Sequence, residues 1–490
     1  MRRRILLTLC LLCCSVSQLL AQSGNLSEAE EFAAFRRELQ NEFDDFRKEI
    51  NAEYVRFLSN AWEEFRLSAA RTPDEVPKPP VPGISQEQKS IRKQIDVPDE
   101  RVEKPVRKLP ERDKTEERNL IRNSLGQKGD SLLCEYFGAR LQLRYQHKQF
   151  FLSGIAEKSI GSLWKDLADS RFSMLLADML RYKEEMQMND WAYFLLTEKV
   201  AARLSTLHSE DCRTVFQHFF LVQSGYDARL ARTEQTLVLL LPIREKVYNR
   251  PYLALDGKSY YIISKKKLKQ KAGISTYRLP DKLVQRPYFS LAMDKDLRLP
   301  VQPKPFCIKD GKLEVKGEVN ANKIRFYREY LSCELTVHAR AVLESRLAKQ
   351  VLGSLSAQLQ GKPRMEALNL LLSWVQNGFN YQTDDEQFGY EKPFFIEEIF
   401  YYPACDCEDR SILFAYLAGR LFKQEVVLLD YPGHIATAVC LDKADAEATD
   451  GTYIVLKDKK YIVCDPTYIN SSAGQAMPAY RNSRFKVIKL

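Results

Sequence analysis

The chain has 490 residues, 45% of them hydrophobic and 28% charged, with 74 Lys and Arg against 65 Asp and Glu. That balance excludes a chain disordered throughout, a collagen and a disulfide-held miniprotein, and the length points to roughly two to four domains. A mean hydropathy of −0.37 with a single long apolar run excludes a protein of many membrane spans, and a net charge of +9 is too weak to call for nucleic acid.

At the start, Arg2, Arg3 and Arg4 precede the apolar run from Ile5 to Leu20, followed by Ala21, Gln22, Ser23 and Gly24. This is the layout of a secretory signal peptide over residues 1–21, too short and wrongly flanked for a transmembrane helix. Cleavage near Ala21 removes three arginines and Cys10, Cys13 and Cys14. The charge falls to +6 and eight of the eleven cysteines remain. The expectation is an exported protein, periplasmic or extracellular, in which disulfides are permitted but their pairing is not readable.

Residues 25–68 carry an 11-residue repeat. Phe32, Phe43, Tyr54 and Phe65 form one register, Phe35, Phe46 and Phe57 a second, and Leu39, Ile50 and Ala61 a third. Eleven residues make three turns at about 3.67 per turn, which predicts one long amphipathic helix with an aromatic stripe. That stripe is expected to dock on the rest of the protein or on a partner, as a coiled coil or by self-association. Glu31, Glu42, Glu53 and Glu64 put an acid in every repeat and argue against a membrane surface. Residues 69–118 turn to proline and charge, and read as an extended linker.

Helical spacing follows from Asn119 to Arg232, then strands at Leu237 to Leu241, Tyr252 to Leu255 and Tyr260 to Ile263, the last two joined across Asp256-Gly257. Residues 119–268 form one expected domain and 269–340 a β-rich segment, with a hairpin across Asp310-Gly311. The lysines between Lys265 and Lys271 read as a solvated hairpin edge. Helical spacing returns through Leu343 to Leu359 and Met365 to Val375, opening a last domain over 341–490. The fold class expected is α+β.

Chemistry concentrates near the end. Cys407 opens an amphipathic helix through Leu417, where free N–H groups and the dipole favour a thiolate, so its pKa is expected below that of a free thiol. Val426 to Leu429 reads as a strand, Pro432-Gly433 as a turn, and His434 opens the strand Ile435 to Leu441. Tyr461 to Asp465 is a strand stopped by Pro466. A thiol needs a base, and the base needs a third group to fix its tautomer. A zinc site from Cys405, Cys407, His434, Cys440 and Cys464 is disfavoured, because Cys440 lies six residues along a strand from His434, about 20 Å away. No metal and no cofactor are expected.

The stretch from Met365 to Thr467 resembles the transglutaminase-like superfamily of cysteine enzymes, relatives of papain-like proteases. The carriers are Asp406-Cys407-Glu408-Asp409 opening a helix, Gly433-His434 opening a strand and Asp465-Pro466-Thr467 closing another. The resemblance implies Cys407 as nucleophile, His434 as base and Asp465 as orienting acid, with a peptide or protein amide attacked through a thioester. Cys405 and Ala436 stand where the family often has a glycine and an aromatic residue. Cys405 stays open as an alternative nucleophile or redox partner. For the oxyanion, the Cys407 N–H is one donor, with Tyr401, Tyr402 and Gln387 eligible as side-chain donors. Hydrolysis and acyl transfer both fit, and a non-catalytic binding scaffold is the competing class.

A fainter echo precedes it. Asp211-Cys212 opens a helical stretch ahead of the Leu237 and Tyr260 strands, with Leu239 and Ile263 near the places of His434 and Asp465. Residues 119–268 are therefore read either as a degenerate transglutaminase-like domain without catalysis or as an unrelated helical domain.

Overall fold

The computed structural model describes residues 48–66, 83–85, 93–98, 101–103, 115–205, 209–264, 273–279, 284–442, 444–445 and 450–490. The signal-peptide layout, the aromatic repeat up to Phe46, His208 and the lysines from 265 to 271 lie outside them. The described chain is α+β, built on two six-stranded sheets with antiparallel cores.

An N-terminal arm comes first. Helix α1 (48–59) is followed by strand β1 (Glu63–Arg66), so the helix expected over 25–68 ends at 59 and Phe65 lies on a strand. The 11-residue register breaks there because the main chain pairs with an open sheet edge. Tyr54, Leu58 and Trp62, four residues apart, face inward. Tyr54 stacks on Trp164 at 4.4 Å, and its hydroxyl lies 3.2 Å from His218 Nε2. This part of the arm is docked on its own chain. Further along, strand β2 (Lys93–Asp96) and bridges from Ile84 to Ile469 and from Val102 to Val487 join the second sheet. The segment expected to be a free linker is thus extended but partly paired, since strand pairing uses main-chain groups and needs no large apolar side chains. It ends on helix α2 (Thr115–Ser124).

The first unit opens on a hairpin, β3 (Asp130–Tyr136) and β4 (Ala139–Tyr145), where helix was expected. Leu132, Cys134 and Tyr136 alternate inward, and Phe137 and Gly138 turn with φ of 44° and 86°. Helices α3 (Glu157–Ala168), α4 (Ser173–Glu185), α5 (Asp190–Leu204) and α6 (Glu210–Gln223) follow. The sheet comprises β5 (Arg229–Thr233), β6 (Leu237–Pro242), β7 (Tyr252–Leu255), β8 (Lys258–Ile263) and β9 (Gly273–Thr276), in the order β1-β9-β5-β6-β8-β7. Asp256 and Gly257 turn between β7 and β8 with φ of 51° and 74°, as the pair predicts. The first sheet therefore extends past residue 268.

Hairpin β10 (Pro303–Lys309) and β11 (Glu314–Asn320) turns at Asp310-Gly311 as expected. Besides β9 and this hairpin the 269–340 segment holds two helices, α7 (Ala321–Tyr327) and α8 (Leu335–Ala339). Then come α9 (Ser345–Leu359), α10 (Arg364–Gly378), β12 (Asn380–Tyr381), α11 (Asp384–Phe388), α12 (Ile396–Ile399), β13 (Ala404–Cys405) and α13 (Cys407–Phe422). The second sheet holds β14 (Val426–Tyr431), β15 (His434–Cys440), β16 (Thr452–Leu456), β17 (Lys459–Cys464) and β18 (Lys486–Lys489), in the order β18-β14-β15-β17-β16-β2.

The two units match. Each runs from a helix into five strands, and β9-β5-β6-β8-β7 repeats the order β18-β14-β15-β17-β16. The arm then extends opposite edges, β1 beside β9 and β2 beside β16.

Candidate active site

Cys407 is the first residue of α13, and the N–H of Ile435 at the start of β15 faces its sulfur. Ser411 Oγ donates to the Ile435 carbonyl at 2.8 Å and so fixes the helix start against the strand. The tight turn at Pro432-Gly433, with Gly433 at φ 77°, sets His434 at the head of β15. Thr437 Oγ1 donates to the Cys464 carbonyl at 2.6 Å and locks β15 to β17. That pairing puts Asp465, one residue past β17, beside the imidazole.

His434 Nε2 lies 2.9 Å from Asp465 Oδ2. The other carboxylate oxygen, Oδ1, accepts the N–H groups of Thr467 (2.9 Å) and Tyr468 (3.2 Å). Gln376 Nε2 donates to the carbonyls of Asp465 and Tyr468, holding the loop on α10. His434 Nδ1 is buried without a hydrogen-bond partner, and His434 and Cys407 line one cavity of about 90 Å3. Tyr480 stacks on the imidazole at 4.6 Å and Tyr431 at 6.1 Å, supplying the aromatic contact that Ala436 does not.

The site is closed. Cys407, His434 and Asp465 are 1%, 2% and 2% exposed, and Tyr248, Cys333 and Leu335 line the same cavity from outside the second sheet. The Cys407 thiol donates to Glu408 Oε2 at 3.2 Å. Burial, then the carboxylates of Glu408 and Asp406, push its pKa well above the ordinary thiol value. The lowered value expected from the helix start is overturned, because a dipole worth about 0.3–1 kcal/mol cannot offset desolvation beside two acids.

Those acids belong to a buried cluster. Burial followed by repulsion from Glu408 pushes Asp384 up to about 8, and burial with neighbouring acids also raises Asp406 and Asp409. Carboxylate oxygens of Asp384, Glu391 and Glu408 lie within 4.8 Å of one another, and among the described residues this is the group able to hold a metal ion. The zinc set weighed in the sequence is not assembled.

Comparison with protein-family models, with curated proteins and with solved structures finds no match. The site is read on its own geometry.

All eight cysteines of residues 48–490 are free thiols, and all but Cys307 are buried. Cys405 does not line the cavity, and burial pushes its thiol up to about 12. Its place outside the cavity, and not its ionisation, separates it from Cys407, whose own thiol is also raised. Tyr401, Tyr402 and Gln387 also lie off the cavity lining. Tyr381 was missed: its strand β12 pairs with β13, and the charges of Cys407, Asp406 and Glu408 raise its phenol after burial does. It is the tyrosine upstream of the helix that feels the thiol. Only its two-residue strand, pairing Tyr381 with Cys405, reveals this, and no periodicity marks so short an element.

Strand register corrects the first unit. Thr233 and Thr236 close a two-residue turn as Tyr431 and His434 do, and Leu239 pairs with Ile263 as Thr437 pairs with Cys464. Thr236 and Ser264 therefore occupy the places of His434 and Asp465, in place of Leu239 and Ile263. Asp211 Oδ1 accepts the Leu237 N–H at 2.7 Å, the contact that Ile435 offers Cys407, and Thr236 Oγ1 donates to the same oxygen at 2.7 Å. Cys212 is one residue out of position. The counterpart set Asp211, Thr236 and Ser264 has neither thiol nor imidazole.

Proposed function

We propose that the second unit is a transglutaminase-like cysteine hydrolase or acyl-transferase that attacks amide bonds of peptides or proteins. The observation that carries this reading is the His434–Asp465 pair at 2.9 Å, which leaves Nδ1 unpartnered in the cavity that Cys407 lines. Asp465 holds the Nε2 proton, so Nδ1 is the lone pair available to a thiol. In the reaction Cys407 gives its proton to Nδ1 and adds to the amide carbonyl. The Cys407 N–H at the helix start donates to the oxyanion, and His434 returns the proton to the departing amine. Water or a second amine then resolves the thioester, the proton passing through His434 again.

The second reading, a binding scaffold without chemistry, has its own support: Cys407 is buried and its thiol is bonded to Glu408. Limiting iodoacetamide on a Cys307→Ser protein, followed by peptide mapping, separates the two. The enzyme reading expects modification at Cys407 ahead of the other buried thiols, and its loss in His434→Ala. Labelling indifferent to His434 favours the scaffold.

The pattern at Arg2 to Gly24 supports export to the periplasm or extracellular space. No helix among the described residues is long and apolar enough to cross a membrane.

A further inference from the structure

The first unit keeps a cavity where the second has its catalytic one, and it is larger. About 280 Å3 opens over Thr236, Leu237 and Ser264, at the N-terminal end of α6. One wall is apolar, formed by Trp191, Phe194, Leu195 and Ile263. The other carries two arginines, Arg213 and Arg250. Neither guanidinium has an ion pair or hydrogen bond among the described residues, and Arg213 Nε is buried without a partner. Burial alone displaces the Arg250 pKa, downward, with no acid acting on it. The acids in the lining are engaged elsewhere: Glu329 meets Lys199, and Glu198 and Glu210 have partners of their own.

Both arginines are partly exposed, and a guanidinium partly desolvated against an apolar wall binds an anion entering the cavity more strongly than a fully solvated one does. The planar fork matches a carboxylate, and α6, fourteen residues long, directs its free N–H groups toward the same end. Three acids in the lining disfavour a dianion such as phosphate. The volume takes one or two residues.

We propose that this cavity binds the carboxylate of a peptide C-terminus ending in an apolar side chain, with Arg250 gripping the carboxylate. The inherited fold then recognises a chain end in the first unit without reacting with it. This inference does not depend on the chemistry assigned to Cys407.

The test is calorimetric titration of the full chain carrying Cys407→Ala, so that no probe turns over. The probes are N-acetyl-Leu-Phe, its C-terminal amide and phenylacetate. The expected result is binding of the free-acid dipeptide, at least roughly tenfold weaker binding of the amide, and the same loss with Arg250→Met. Without ligand, Arg250→Met is expected to melt no lower than the parent, since it deletes a partly buried charge that makes no ion pair among the described residues. That control separates lost recognition from lost folding, and Arg250→Lys gives a second variant. Equal affinity for acid and amide, equal affinity of parent and a folded Arg250→Met, or no binding of any probe overturns the proposal. Phenylacetate binding as tightly as the dipeptide overturns its peptide part and assigns the cavity to small acids.

Discussion

Asp465 carries two duties that one substitution separates. Its Oδ2 holds His434, while Oδ1 accepts two backbone N–H groups. In Asp465→Asn the amide oxygen can keep the backbone contacts, but its NH2 faces the imidazole and imposes the wrong tautomer. The expected outcome is an unchanged melting temperature with turnover down by about 10^3–10^4. Unchanged turnover would take Asp465 out of the mechanism. Asp384 makes a different point, about pH. Its carboxyl is raised to about 8, so the native state holds a proton that the unfolded chain releases near pH 4. The stability this contributes is complete below the unfolded value and is lost as pH rises through the folded one. His218 and His338, pushed down to about 3 by burial, act in the opposite sense only below about pH 6.5. Lys183, lowered to about 8 by burial, opposes this above that value. Between pH 6.5 and 8 the melting temperature should therefore fall, with Asp384 contributing at most about 1.4 kcal/mol per pH unit. Asp384→Asn should flatten that slope, which calorimetric melting in a pH series would reveal. Cys407, His434 and Asp465 were legible as a candidate set because each stands at the end of an element, where chemistry-bearing side chains announce themselves against an apolar pattern. Thr236 and Ser264 were not, since register fixes which residue meets which and two apolar strands look alike when slid by three positions.

Loops from outside the second sheet close the site. The segment carrying Tyr248 is tied to that carrying Cys333 by a Tyr248 N–H to Ser332 carbonyl bond of 2.9 Å and a Val247–Cys333 bridge. Both segments line the cavity that Cys407 and His434 share. A volume of about 90 Å3 holds about three waters and no peptide, so entry requires this cover to move. Tyr248→Ala should speed alkylation of Cys407 by roughly tenfold or more, as mass spectrometry over time would record; an unchanged rate would mean access comes from another side. Hairpins at Asp256-Gly257 and Asp310-Gly311 were readable, because few residues take positive φ as Asp256, Gly257 and Gly311 do, and those that do mark the turn. The β3–β4 hairpin carries only a short alternation, Leu132, Cys134 and Tyr136, which the helical spacing of the long helices after it outweighs. Strands β1 and β2 carry no pattern of their own. Their existence depends on edges far along the chain.

At the scale of the whole molecule, two units of one topology are joined by an arm that pairs with both. Leu58 is fully buried in the first core, so Leu58→Ala should destabilise the protein by about 2–5 kcal/mol, read by denaturant melting. An effect near zero would mean the arm is undocked in solution. The strand orders of the two units match, and the places of the thiol and imidazole hold Asp211 and Thr236 in the first. Sequence spacing hinted at that likeness and erred on where its residues fall.

The arm also sets how the chain reaches this state. Gln94 accepts from the Tyr453 hydroxyl across 359 residues, and β1 meets β9 across more than two hundred. Contacts of such separation form late, because the entropy of closing the loop is lost before any pairing compensates for it. Until β2 arrives, β16 presents an open edge to any other chain in the same condition. Refolding is therefore a race between an intramolecular search, whose rate ignores concentration, and pairing between molecules, whose rate does not. Dilution should favour the native outcome.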